Sequence, residues 1–149
     1  MDNDKFIGLW NLKSWNCFID GQKFNSPFGE KTIGSLLYTK NGVMSAVLRK
    51  EKRANFKQPN LLKGSNEEKV NAVDSFLSYM GKFSIDNEFV VHHVEHSLLP
   101  NWQGNVLKRI YSFSNNNTIL TLKTTPIKTS KNKIVTNVLV WENVTPKSS

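Results

Sequence analysis

A single cysteine, Cys17, stands among 149 residues. An internal disulfide is therefore excluded, along with the small stapled modules that depend on several of them. No apolar run approaches the roughly 20 residues that a membrane-crossing helix requires. The opening Met1-Asp2-Asn3-Asp4-Lys5 lacks the basic start and apolar stretch of a secretory signal. Together these absences lead us to expect a cytoplasmic protein without a membrane span. Also missing are a Gly-x-Ser-x-Gly elbow, a phosphate loop and a dinucleotide-binding glycine fingerprint. Covalent catalysis and cofactor chemistry are disfavoured, and we expect no cofactor.

Acidic residues are in short supply: 12 Asp and Glu face 20 Lys and Arg, a net charge of +8. Such an excess suits phosphate-bearing partners when the cations cluster among stacking aromatics. The densest run, Arg49-Lys50-Glu51-Lys52-Arg53, lies in a loop pattern, and Lys123, Lys128, Lys131 and Lys133 flank a turn. Neither is interleaved with aromatics, so we read a solvated surface and expect no nucleic-acid partner.

Aromatics, by contrast, are plentiful, with nine Phe, four Trp and three Tyr. They can furnish a core for the one domain, residues 1–149, that this length supports. Period and punctuation give a series of short strands. They are Ile7–Ile19, Ile33–Thr39, Val43–Leu48, Lys82–Ile85, Glu88–Glu95, Asn105–Phe113, Thr118–Thr124 and Ile134–Glu142. Asp20-Gly21 and Asn41-Gly42 are tight-turn dipeptides, the second suited to a primed hairpin turn.

Between the third and fourth strands, Ser65-Asn66-Glu67-Glu68 forms a capping box that starts a helix. Val70, Val73, Leu77 and Met80 would make its apolar stripe, closing one barrel end or lying along the wall, and Gly81 would end it. The expected fold is all-β, an eight-stranded antiparallel up-and-down barrel with one inserted α-helix. Such a barrel has no free edge and an interior just wide enough for side chains or one small ligand.

Two sets of residues resemble a known family. Gly8-Leu9-Trp10 is similar to the Gly-x-Trp signature of lipocalins, whose Trp plugs the closed end of the barrel. More extensive is the series Pro27-Phe28-Gly29, Gly34-Ser35-Leu36-Leu37-Tyr38-Thr39, Asn41-Gly42-Val43-Met44-Ser45-Ala46, Tyr79-Met80-Gly81-Lys82-Phe83, His92-His93-Val94-Glu95, Pro100-Asn101-Trp102-Gln103-Gly104 and Leu139-Val140-Trp141-Glu142. It resembles the bacterial and fungal lipocalin-like domain family over nearly the whole chain. The resemblance implies a barrel with an internal cavity. Some relatives of this shape serve as isomerases or cyclases in natural-product pathways. His96 stands where a small residue is usual in the family, and Leu107 where Gln is usual two residues before Arg109; the loss of that Gln implies a less polar pocket.

The residues themselves offer several candidates. Strand alternation puts Val90, His92 and Val94 on one face and Val91, His93 and Glu95 on the other. The flanking valines favour His92 as the inward residue. Inside an apolar barrel it would be neutral, either a general base or a core histidine bonded to a neighbouring strand. Geometry weakens a metal reading of His92-His93-Val94-Glu95-His96: His92 and His96 lie about 13 Å apart along a strand, only His93 and Glu95 could share an ion, and the sequence has no second His/Cys cluster. We expect no metal.

Arg109 shares a face with Leu107, Tyr111 and Phe113. By the lipocalin resemblance it packs over Trp10 as a cation–π contact; alternatively it anchors a carboxylate or enolate oxygen of a ligand. Tyr38 and Met44 face each other across the hairpin. Asn101 and Trp102 occupy a loop, Trp102 being either a pocket rim or a plug, and Trp15 and Trp141 are wall or core residues.

The leading expectation is therefore a barrel that binds a small hydrophobic or amphipathic molecule, as a monomer or homodimer. The alternative is a cofactor-free isomerase or cyclase acting on a polyketide- or terpenoid-like intermediate. Its catalytic set would be His92, Tyr38 and Arg109, with Met44, Asn101, Trp102, Tyr111 and Trp141 contacting the ligand.

Overall fold

A computed structural model describes residues 2–145. The chain runs β1 (Gly8–Ile19), β2 (Gln22–Asn25), β3 (Thr32–Tyr38), β4 (Val43–Lys50), α1 (Asn66–Asp74), β5 (Phe76–Asp86), β6 (Phe89–Ser97), β7 (Val106–Ser114), β8 (Ile119–Thr124), β9 (Ile127–Lys128) and β10 (Ile134–Asn143). One-turn 3-10 helices cover Asp2–Lys5, Leu61–Lys63 and Pro100–Trp102. No helix among the described residues is long and apolar enough to cross a membrane.

The strands pair antiparallel in the order β2-β1-β3-β4-β5-β6-β7-β8-β10-β9, and β1 closes the sheet on β10. The barrel has eight positions, because β2 and β3 share one side of β1 while β8 and β9 share one side of β10. A bulge between Leu12 and Ser14 lets β1 serve both roles: Gly8–Asn11 pair with β3, and Asn16–Ile19 pair with β2. An extra residue in one strand bends it and increases its twist, as closing a small barrel requires. The bulged Lys13 reaches Glu142 on β10 at 3.0 Å.

Two expectations about the insertion need correction. The helix follows the fourth strand rather than the third, because Gln22–Asn25 forms a short strand on β1 after the turn at Asp20-Gly21. It also ends at Asp74. Ser65 and Glu68 form the expected capping box, but Leu77, Met80 and Gly81 belong to β5, which pairs with β4 from Arg49↔Phe76 to Val43↔Lys82. The period-two series Leu77, Tyr79, Gly81, Phe83, gathered onto one face of the sheet, won over the helical spacing. The rest of the supposed stripe, Val70 and Val73, is 56% and 55% exposed, so that stripe neither closes the barrel nor lies along its wall. Gly81 is not a helix terminator. It sits at a register shift between β5 and β6, where any Cβ would run into the His93 carbonyl.

The β3–β4 hairpin forms as expected, with Tyr38 opposite Met44. Its turn is not a primed one: Gly42 has φ +86° while Asn41 is not in the left-handed region, and the Gly42 amide donates to the Thr39 carbonyl. This is the pattern of a type I turn followed by a left-handed glycine.

Up-and-down order puts the short turns 39–42, 86–88 and 115–118 at one end, beside residues 2–7. The long segments 51–75, 98–105 and 125–133 lie at the other. The first end is closed. Trp10 and Phe6 are fully buried there, and the Trp10 Nε1–H donates to the Phe6 carbonyl at 2.8 Å. The Phe6 ring meets Tyr38, Tyr111 and Phe113 edge-on, with centroids 5.4 Å, 4.9 Å and 4.9 Å away. Aromatic quadrupoles favour that arrangement.

Candidate functional site

Above this aromatic floor the barrel interior divides into two layers. The lower one is a buried polar chain across three strands. β6 alternation turns His92 inward and His93 out, where it bonds Ser84 at 2.9 Å. The His92 Nε2 lies 2.7 Å from the Tyr38 hydroxyl on β3, and its Nδ1 lies 2.9 Å from the Tyr79 hydroxyl on β5. A neutral imidazole has one donor and one acceptor, so either tautomer satisfies both bonds. Burial lowers the His92 pKa to about 3, and the Arg109 and His93 charges push the same way. Burial raises both phenols; Tyr79 adds to the shift at Tyr38, and the Arg109 guanidinium opposes it at both.

The upper layer is a cavity of about 350 Å³ open towards the long segments. Its apolar wall includes Leu36, Ala46, Leu48, Leu77, Leu122 and Leu139, with the aromatic faces of Trp15, Trp102 and Trp141. The polar groups are few: Tyr79, Arg109, Thr124, Thr125 and Asn137, with Lys108 at the edge. Asn137 is held by the Trp15 Nε1–H, which donates to its Oδ1 at 2.9 Å. The size and the mostly apolar lining with a few polar groups are those of a small-molecule site.

Tyr79 joins the layers, its hydroxyl bonded to His92 while its side chain lines the cavity. The Trp102 ring stands edge-on to it at 5.5 Å. Trp102 is thus part of the wall, carried on the turn after Pro100, a residue suited to the first position of a short helix.

The barrel unites some of the expected site residues and separates others. Arg109, Trp102 and Trp141 line the cavity. His92, Tyr38 and Met44 lie beneath it in the core, and Tyr111 packs on Phe6 at the closed end with its hydroxyl donating to the Asn87 carbonyl. Asn101 is exposed, and its carbonyl accepts from Asn105.

Arg109 over Trp10 is not found. Arg109 pairs with Val90 and Thr124 and lines the open half of the barrel, whereas Trp10 is covered by Phe6 and Phe113. The aromatic plug contributed by residues 2–7 takes the place that the guanidinium would need. Sequence reasoning missed Tyr79 and Leu77 as wall residues because it put them on a helix. The alternation Leu77, Tyr79, Gly81, Phe83 was the signal that could have found them.

A family model described as a lipocalin-like domain matches residues 7–144. The chain belongs to the lipocalin-like domain family. The match takes in every barrel strand, so this lipocalin-like chain forms its closed barrel within the matched region. Among proteins of curated function, none matches it. The family supports ligand binding in general, and the particular chemistry rests on the residues above.

Proposed function

We propose that this lipocalin-like barrel binds a small amphipathic molecule in the cavity above Tyr79, its apolar body against the leucine wall and its polar end towards Arg109, Asn137 and Thr124. The observation that carries the reading is the cavity itself: about 350 Å³, largely apolar, open at one end, with a handful of polar groups. Were the interior meant only for stability, it would be packed to the density of the closed end. Mass spectrometry under native and then denaturing conditions tests whether a molecule is released. Displacement of a fluorescent apolar dye then tests the location. Ala46→Phe places a ring in the cavity and should weaken dye binding by about 10-fold or more; unchanged binding would put the dye elsewhere.

One observation favours the second reading, a cofactor-independent isomerase or cyclase. Tyr79 lines the cavity, its hydroxyl bonded to His92 and the Arg109 guanidinium beside it. Tyr79 could exchange a proton with a bound substrate while Arg109 stabilises an enolate oxygen. His92 would then act through Tyr79, because both its nitrogens are bonded and it does not line the cavity. In that case Tyr79→Phe removes turnover by about 100-fold or more and leaves binding within a few-fold. For a pure binder, only the affinity moves.

A further inference from the structure

Among the described residues, Arg109 is the one charged side chain on the inward parity of the cavity wall; Lys108 borders the cavity with its side chain turned outward, and no Asp or Glu lines it. The ion pairs among the described residues, Lys13–Glu142, Lys82–Glu95 and Lys133–Asp20, involve neither cation. Lys108 extends over the Phe89 ring at 5.5 Å, while Arg109 is half-buried on the inward parity with Leu107. The Arg109 Nη1 donates to the Lys108 carbonyl at 3.2 Å, and the guanidinium lies beside the Tyr79 phenol. Neither neutral group offsets its charge, and a half-desolvated cation is costly until something does. A second donor stands in the same wall: Trp141 is almost wholly buried, and its Nε1–H has no acceptor among the described residues.

We propose that the cavity selects amphipathic molecules with a single oxyanion head group, a carboxylate being the simplest, bound by the Arg109 guanidinium with the apolar body against Leu36, Leu48, Leu122 and Leu139. The inference rests on the cavity-binding reading above and adds the sign of the ligand's charge. A guanidinium presents its donors as a planar fork that matches two carboxylate oxygens, and such charge-assisted pairs are about twice as strong as neutral ones. The Trp141 indole offers one further donor to a ligand oxygen that reaches it. A water occupies roughly 30 Å³ in the liquid, and on that scale about a dozen non-hydrogen atoms fill the cavity, a longer body projecting from its open end.

Isothermal titration of the whole protein at pH 7 with decanoate, and separately with decan-1-ol, tests this. The expected result is decanoate binding about 10- to 100-fold tighter than the alcohol, the worth of a hydrogen bond to a charged group. Arg109→Gln should abolish that preference, so that acid and alcohol bind alike, while Arg109→Lys should keep part of it. The preference should also survive about 0.5 M salt, since a half-buried pair is screened less than an exposed lysine.

Equal affinities for the two probes, a preference that Arg109→Gln leaves intact, or one that high salt erases would each overturn the assignment while leaving the cavity-binding reading in place. Binding of neither probe would overturn that reading, and this inference with it. If Arg109→Gln does not fold, the wild-type comparison of acid with alcohol decides alone.

Discussion

The two ends of the barrel are built to different specifications. At the closed end, turns of a few residues join the strands, and the rings of Phe6, Trp10, Tyr38, Phe83 and Phe113 meet edge-on or tilted. Asn87 and Asn115-Asn116-Asn117 adopt positive φ there. Asn tolerates that conformation better than most residues. Longer segments carry the chain across the open end, and Leu61, Leu62 and Ile127 stand 72%, 83% and 59% exposed. Charge differs less sharply. The closed-end segments carry Asp2, Asp4, Asp86 and Glu88 beside Lys5 and Lys40, and the 51–75 segment nearly balances its five cations with Glu51, Glu67, Glu68 and Asp74, whereas the 125–133 segment carries Lys128, Lys131 and Lys133 and no acid. Aromatic packing is concentrated at one end, and the other holds the cavity. Such a division is expected where function needs a destabilised site.

The sharpest way to break this comparison is Phe6→Ala. The Phe6 ring is fully buried and has four aromatic neighbours. Removing it should cost about 3–5 kcal/mol, read as a shift of the urea midpoint with an unchanged slope. A loss below about 1.5 kcal/mol, too small for a buried aromatic, would mean that residues 2–7 are not the plug of the closed end.

How much of this was legible in the sequence follows the same division. Turn dipeptides, period-two alternation and the Gly8-Leu9-Trp10 signature marked most of the strands and the tryptophan of the closed end, because there local preference and tertiary packing agree. Around the open end they diverge. Residues 66–80 carry a true capping box at one end and helical spacing throughout, yet the hydrogen bonds offered by β4 draw Phe76 onward into a strand. No local pattern reports that competition. The position of Arg109 was equally invisible, since whether it lies over Trp10 or in the cavity depends on Phe6 folding back from outside the barrel strands. His92 facing inward was readable from its valines, but the two phenols that cap it come from strands 54 and 13 residues away.

Beneath the cavity, His92 links the two ends and makes stability depend on pH. Folded His92 keeps its neutral form down to about pH 3, whereas the unfolded chain protonates it near 6.5. Between those values the unfolded state binds more protons, so stability rises with pH. The contribution is complete above 6.5 and is lost as pH falls towards 3. By pH 5 the wild type should be about 2 kcal/mol less stable than at pH 7 on this account. His92→Gln should flatten that part of the curve, measured by urea unfolding at the two pH values. An unchanged slope would show that water or a shifted loop relieves the buried imidazole.

Tyr38 and Tyr79 sharpen the comparison at a single pair of hydroxyls. Removing either as Tyr38→Phe or Tyr79→Phe leaves one nitrogen of His92 without its partner, at a cost of about 1–3 kcal/mol. The two variants should therefore unfold alike. They should differ in binding, because only Tyr79 lines the cavity: dye or ligand affinity should move in Tyr79→Phe and hold in Tyr38→Phe. Equal effects on affinity would mean that the polar chain and the cavity are one site rather than two layers.

The smallest effect is expected where apolar side chains already stand in water. Leu61→Ser and Leu62→Ser, together, remove two large side chains of the open end, yet neither is buried in the folded protein. Stability should change by no more than about 0.5 kcal/mol, as at other surface positions. The same change of chemistry inside the closed end would unfold the protein, and that contrast isolates position from residue type. A loss above about 1.5 kcal/mol would show that the 51–75 segment packs against the barrel in solution. Comparing the loss with and without saturating ligand would then separate a permanent contact from one formed over an occupied cavity, since binding to the folded state alone adds stability that grows with ligand excess.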